Sequence, residues 1–309
     1  MRLIFILLTL IITSCSSQTK KDIYNPIKEF ALYSDYFVFI ADDNTAPLVI
    51  PLDLNWYPNE EGYEIEFKAW YGTKKDWPII YAKEAFKTPR QNIPQESFQQ
   101  ANIDGFSFNQ ERKEITLKIK SAPEVTITIP DEDTWGLAPS KNKFHKKTFA
   151  SKTSIKIKNE TKSGWIIYER IRWKKDEVVD FGDFKTFFWI PLIIKGDLYH
   201  FEQNKSEKAA FKWSSTNGNI KVNEISDFEI QVTQIINDSK SGRNEIPKEI
   251  NISSEKNNLD ISLISTGEQV GYGKKFPKGL AFYRQSLLMS NKKGKDSGYG
   301  MMELIIENN

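Results

Sequence analysis

Trp165-Ile166-Ile167-Tyr168-Glu169-Arg170-Ile171-Arg172-Trp173 reads as a strand, because successive strand side chains point to opposite faces. One face then carries Trp165, Ile167, Glu169, Ile171 and Trp173, and the other Ile166, Tyr168, Arg170 and Arg172. Glu169 is the single carboxylate in an otherwise apolar row. If that row faces a cavity, burial raises the carboxyl pKa unless a cation such as an arginine pairs with it, which is the physical profile of a general acid. At a strand edge or barrel mouth the same residue is a carboxylate paired at the surface.

The same period of two runs outward in both directions. Tyr63, Ile65, Phe67 and Ala69 alternate with Glu64, Glu66 and Lys68, and Ile115, Leu117 and Ile119 alternate with Thr116, Lys118 and Lys120. Val125, Ile127 and Ile129 continue the pattern, as do Ile155 and Ile157, and Ile220 and Val222 follow an Asn217-Gly218-Asn219 turn. Further strands are expected at residues 228–232, 250–252, 259–263, 280–289 and 300–306. Turn residues separate them at the spacing of antiparallel barrels or sandwiches. Residues 84–101, with Pro89 and Pro94 inside, are expected to form a short helix or a loop. Residues 187–194 are apolar on both sides, so they read as a strand buried between two layers, where domains meet. Pro191 inside that run suggests a bend or a bulge.

The fold class is therefore all-β. A chain of 309 residues is long enough for two domains with real cores. Its 43 basic and 41 acidic residues give a formal charge of +2 and are spread along the chain, so there is no electrostatic footprint for nucleic acid. The lysine-rich patches at residues 141–147 and 292–295 read as charged loop tips. Aromatic residues are abundant, with 8 Trp, 12 Tyr and 20 Phe; such side chains suit pleated surfaces and line the cavities of barrels.

At the amino terminus, Arg2 precedes an apolar run over residues 3–12, too short to cross the hydrocarbon core as a helix. It reads as a signal segment. Ile12-Thr13-Ser14-Cys15 is the pattern of a cut before a lipidated cysteine, and Cys15, the sole cysteine, is the expected lipid anchor. Residues 1–14 are then a signal peptide and 15–29 a tether. The protein is expected in a bacterial cell envelope, at the outer membrane or cell surface rather than the inner membrane. With no second cysteine, neither an internal disulfide nor a thiol nucleophile is available after anchoring.

No cofactor is expected. Two histidines, His145 and His200, and no second cysteine argue against a zinc centre, and both histidines read as surface or barrel-wall residues. Neither a phosphate-binding loop nor a nucleophile elbow occurs. Asp180, Asp183 and Asp197, beside Gly182 and Gly196, read as turn-shaping residues rather than a pair of hydrolytic carboxylates.

Several motifs together resemble the two-domain lipocalin-like family of carotenoid hydratases (hydroxyneurosporene synthases) and AttH proteins. Gly298-Tyr299-Gly300-Met301-Met302-Glu303-Leu304 is similar to that family's terminal Gly-x-Gly-Tyr-(Met/Leu)-Glu-Leu strand. Tyr283 stands where its Tyr-Trp-Glu-Gly strand begins. Phe188-Trp189 with Lys195-Gly196-Asp197-Leu198-Tyr199-His200-Phe201 resembles its Asp-Trp-Phe…Asp-Gly-x-x-Leu-x-Leu-Tyr hairpin. Trp213-Ser214-Ser215 and Ile246-Pro247-Lys248-Glu249-Ile250 follow in order, and Asn55-Trp56-Tyr57 and residues 62–70 match the first half.

The resemblance implies two antiparallel lipocalin-like barrels, over residues 30–180 and 181–309. It also implies a hydrophobic, lipid- or isoprenoid-like ligand in a barrel cavity or the crevice between domains. Trp165, Tyr168, Trp173, Trp189 and Tyr199 are the expected ligand-binding residues. In the family's Asp-(His/Arg)-(Glu/Gln)-Trp element, either Arg170 takes the aspartate position or, with a one-residue shift, Glu169 does and Arg170 is its basic neighbour. Arg284, Gln285 and Ser286 replace Trp, Glu and Gly, and Ile305-Ile306 replace a Thr-Gly ending. Two alternatives stand beside ligand binding. One is a hydratase, isomerase or cyclase with Glu169 as acid and Arg170 as electrostatic partner; the other is a surface scaffold or assembly protein whose partner no motif names.

Overall fold

The computed structural model describes residues 30–43, 48–58, 62–70, 72, 79–87, 98, 102–118, 123–139, 146–174, 186–204, 207–238, 243–265, 270–271, 280–290 and 298–307. Cys15 and the residues before it, His145, Asp180, Asp183 and the 292–295 lysines lie outside them. So do most of residues 88–101; of the stretch 84–101, residues 84–87 are strand rather than helix or loop.

Eleven strands form the first sheet: β1 (Phe30–Ala41), β2 (Val49–Pro58), β3 (Gly62–Trp70), β4 (Ile79–Lys87), β5 (Asn102–Ile103), β6 (Phe106–Asn109), β7 (Glu114–Leu117), β8 (Val125–Thr128), β9 (Gly136–Leu137), β10 (Lys147–Ile157) and β11 (Glu160–Lys174). The second has β12 (Thr186–Ile194), β13 (Asp197–Gln203), β14 (Lys208–Thr216), β15 (Asn219–Glu224), β16 (Glu229–Asp238), β17 (Arg243–Ser254), β18 (Leu259–Ser265), β19 (Val270–Gly271), β20 (Leu280–Ser290) and β21 (Gly298–Glu307). All recorded pairings are antiparallel. The first sheet runs β4-β3-β2-β1-β11-β10-β8-β7-β6-β5, with β9 beside β10. Its end strands β4 and β5 approach each other, so it nearly closes. The second runs β15-β14-β13-β12-β21-β20-β18-β17-β16, with β19 beside β20. In each half the first long strand pairs with the last, β1 with β11 and β12 with β21, so the two ends of each half meet in the middle of its sheet rather than at its edges. The protein is all-β, two antiparallel lipocalin-like barrels packed together.

Alternation sorts the side chains into three cores. Phe37, Phe39, Trp56, Phe67, Ile115, Ile127, Phe149, Ile166 and Tyr168 fill the first barrel. Phe188, Ile190, Leu192, Phe201, Ile250, Leu263, Met302 and Leu304 fill the second. Between the barrels lies a third core. There Val38, Ile40, Trp70, Ala150, Trp165 and Ile167 from the first barrel meet Trp189, Ile193, Leu198, Phe211, Trp213, Tyr299 and Met301 from the second. The apolar run of β12 is apolar on both sides for this reason: Trp189 and Ile193 look to the joint, while Phe188, Ile190 and Leu192 look into the second barrel. Polar contacts tie the joint as well. The Trp165 indole donates to the Gly196 carbonyl at 2.8 Å and the Trp213 indole to the Gly136 carbonyl at 3.2 Å. The Tyr299 hydroxyl donates to the Ala41 carbonyl.

Pro191 introduces no bulge into β12, whose register does not shift there. The strand lies between β13 and β21, pairs through Pro191 with His200, and keeps the same register with β21 on either side of a gap at Ile190 and Pro191, from Trp189↔Glu303 to Leu192↔Gly300. The ladder simply skips the residue that lacks an N–H. Gly300 makes this possible, because a Cβ there would come within 1.9 Å of the Pro191 carbonyl oxygen. Gly300→Ala is expected to destabilise the protein by about 1–3 kcal/mol, as overpacking does. Urea unfolding followed by intrinsic fluorescence checks it, and an unchanged midpoint would mean that the two strands are not in close contact at Gly300.

Candidate functional site

The two faces of β11 lead to two different polar sites. On the face that looks to the joint, Glu169 pairs across the sheet with Tyr36 of β1 and Thr148 of β10. In the second barrel, Trp189 of β12 pairs with Glu303 of β21 and Glu202 of β13. These two cross-strand rows lie against each other. Tyr36 donates its hydroxyl to Glu303. Trp189 donates its indole N–H to Glu169 Oε1 at 2.9 Å, and Thr148 donates to the same oxygen at 3.1 Å. Lys146, just before β10, closes the third rung: its ammonium lies 2.8 Å from Glu169 Oε1 and 2.7 Å from Glu202 Oε2. The Tyr36 and Trp189 rings pack at 5.4 Å.

His200 belongs to the same cluster. On β13, Leu198, His200 and Glu202 share one face, so the joint that buries Leu198 also buries His200, which is 1% exposed. Its ring lies against Trp189 at 4.9 Å and Trp213 at 6.1 Å. Burial, aided by the Lys146 ammonium, holds its pKa well below the ordinary value, so the imidazole is neutral at physiological pH. Burial pushes the Glu169 carboxyl up, against the pull of Lys146. Burial opposes the Lys146 charge too, but the Glu169 and Glu202 carboxylates outweigh it and hold the ammonium above its ordinary range.

The opposite face of β11 enters the first barrel. Tyr168 is enclosed there by Phe37, stacked at 4.5 Å, with Phe149 at 5.7 Å, Phe98 at 5.9 Å and Trp135 at 6.1 Å. Its hydroxyl donates to Asp35 Oδ1 at 2.7 Å, and the Phe98 backbone N–H donates to Asp35 Oδ2 at 3.2 Å. Arg170 is buried two residues further along, opposite Asp35 in the β1–β11 ladder.

The sequence-derived candidates thus divide. Glu169 and Arg170 are neighbours in sequence but belong to opposite faces, and the ammonium that meets Glu169 is that of Lys146. Trp165 and Trp189 lie in the joint, Trp165 with the Lys152 ammonium over its ring at 4.6 Å. Tyr199 lies half-buried on the other face of β13, stacked on Phe201 and covered by the Lys212 ammonium at 5.4 Å. Trp173 is within β11, but its side chain lies outside the described residues. Asp197 pairs with Lys212 at 2.7 Å. Lys146 was expected at a charged loop tip and is instead buried, because the rung it completes holds two carboxylates. Lys146, Asp35 and Glu202 were not singled out. The i, i+2 spacing of His200 and Glu202 was the available signal for the last. An open depression of about 500 Å³, lined by Asp42, Asp43, Glu160, Thr161, Lys162 and Ser163, lies six residues along β11 from Glu169, about 20 Å away. It has no aromatic wall, and the site chemistry is elsewhere.

No protein-family model and no curated protein matches the sequence. The fold does have a solved counterpart. The crystal structure of an AttH-like protein from Nitrosomonas europaea superposes with a TM-score of 0.57 at 11% identity, over 96% of this chain and 98% of that one. The fold is that of the AttH-like lipocalin proteins. The crystal structure of CghA superposes at 0.46 with 7% identity over 93% of both chains. At these identities the AttH-like likeness is one of fold, and it covers both barrels of this chain.

Proposed function

We propose that the protein binds a hydrophobic, lipid- or isoprenoid-like small molecule in its first barrel, while anchored through Cys15 to the cell envelope, at the outer membrane or cell surface. The observation that carries this reading is the Tyr168–Asp35 pair inside an aromatic wall of Phe37, Phe98, Trp135 and Phe149. A binding site for an apolar ligand combines such a wall with a few convergent polar groups that fix orientation. The anchor reading is supported by the apolar run over residues 3–12 and by Cys15 directly after Ser14. Among the described residues no helix is long and apolar enough to cross a membrane.

The test is native mass spectrometry and solvent extraction of protein purified from membranes. One apolar molecule per chain is expected, and it should persist in Cys15→Ala protein recovered from the soluble fraction. Tyr168→Phe, which removes the hydroxyl, should weaken rebinding several-fold, since a single hydrogen bond contributes about 1 kcal/mol. Ligand-free protein from both sources would overturn the binding reading. Cys15→Ala protein that remained membrane-bound would overturn the anchor.

A further inference from the structure

Lys146 accounts for Glu169 and Glu202, but it does not account for His200. Among the described residues neither His200 ring nitrogen has a hydrogen-bond partner, although the ring is almost wholly buried and buried polar atoms are nearly always paired. One His200 nitrogen, a Glu169 oxygen and a Glu202 oxygen all lie within 4.8 Å of one another. They come from adjoining barrels, so the arrangement exists only when the joint is closed. The Glu202 side chain is 19% exposed, which leaves a way in from solvent.

One imidazole nitrogen and two carboxylate oxygens are a donor set for a divalent transition metal, and three protein ligands leave a further position for water or a ligand oxygen. The ammonium of Lys146 already sits between the carboxylates, marking the place where a cation is favoured. We propose that Glu169, His200 and Glu202 form a site for a divalent metal ion of the zinc or manganese kind, which binds in exchange for the Lys146 ammonium. The ion neutralises both carboxylates and gives His200 the partner it lacks, while Lys146 turns toward solvent past Glu202. Carboxylates hold such ions as well as histidine and cysteine do, so the low histidine and cysteine counts do not exclude a zinc centre.

The experiment uses the detergent-solubilised full chain, stripped with chelator and titrated with Zn²⁺ and with Mn²⁺ by calorimetry, and crystals soaked with Zn²⁺ for anomalous scattering. One ion per chain is expected, with its anomalous peak between Glu169, His200 and Glu202. His200→Gln, which removes a ligand, should weaken binding by at least the roughly 10–100-fold that losing a residue behind a ligand costs. Lys146→Met should tighten it, since the competing ammonium is gone; a simple structural ion bridge predicts no such gain. The proposal is overturned if the wild-type chain binds neither ion, if Lys146→Met alone creates binding, if His200→Gln leaves the affinity unchanged, or if the peak lies elsewhere. Should His200→Gln fail to fold by circular dichroism, the position of the wild-type anomalous peak decides.

Discussion

Trp213→Ala is expected to lower the unfolding free energy by about 3–5 kcal/mol, the usual loss for a buried Trp. The residue is fully buried in the joint, packs against Phe211 and His200, and donates to the Gly136 carbonyl from the other barrel. Gly136 is itself in close contact with Ile220 and Val222 of β15, where an added Cβ would come within 2.5 Å of Ile220. The first barrel thus reaches the second through the short β9 excursion, and Trp213 is the piece it rests on. Removing the indole leaves a void that rigid sheets on both sides cannot collapse into. The urea midpoint measures the effect, with the slope of the transition expected to hold. A loss below about 1 kcal/mol, at the low edge of core truncations, would show that the barrels are not joined there.

Lys146→Met, studied in chelator, is expected to destabilise by a comparable amount, about 3–5 kcal/mol, because deleting one member of a buried ionic group leaves uncompensated charge. The charges left behind are Glu169 and Glu202, and the effect should be carried mainly by Glu169, the deeper of the two. Adding Glu169→Gln to Lys146→Met removes that charge, so the double variant should be more stable than Lys146→Met alone. If the two substitutions simply add, the ion pair is not the cause of the loss. Thermal melts of the three variants beside the wild type decide it.

The alternation that made residues 165–173 a strand also made Glu169 a lone acid on an apolar face, and the structure buries Trp165, Ile167 and Glu169 on it. What alternation cannot say is which face meets which. Both sides of β13 are apolar, Leu198 on one and Tyr199 and Phe201 on the other, so nothing local tells whether His200 looks into a barrel or toward its neighbour. Lys146 was hidden for a different reason. It stands in a run of lysines whose other members suit solvent, and only the register that brings Thr148 beside Glu169 explains why this one is buried. Pairing Glu169 with Arg170 failed on the period of two itself, since adjacent strand residues cannot share a face. Pro191 misled because the compensation for its missing donor lies 109 positions later, at Gly300.

The tryptophan-rich joint also bears on how the chain can be divided. Val38, Ile40, Trp165 and Ile167 would be an oily patch on an isolated amino-terminal half, and Trp189, Trp213 and Met301 the same on the other. During synthesis the leading half emerges well before its cover, and exposed apolar surface of that kind is what chaperones hold and aggregates grow from. The two barrels are thus separable on paper by topology, yet their seam is as much interior as either lumen, and each half is expected to be less soluble alone than the whole chain.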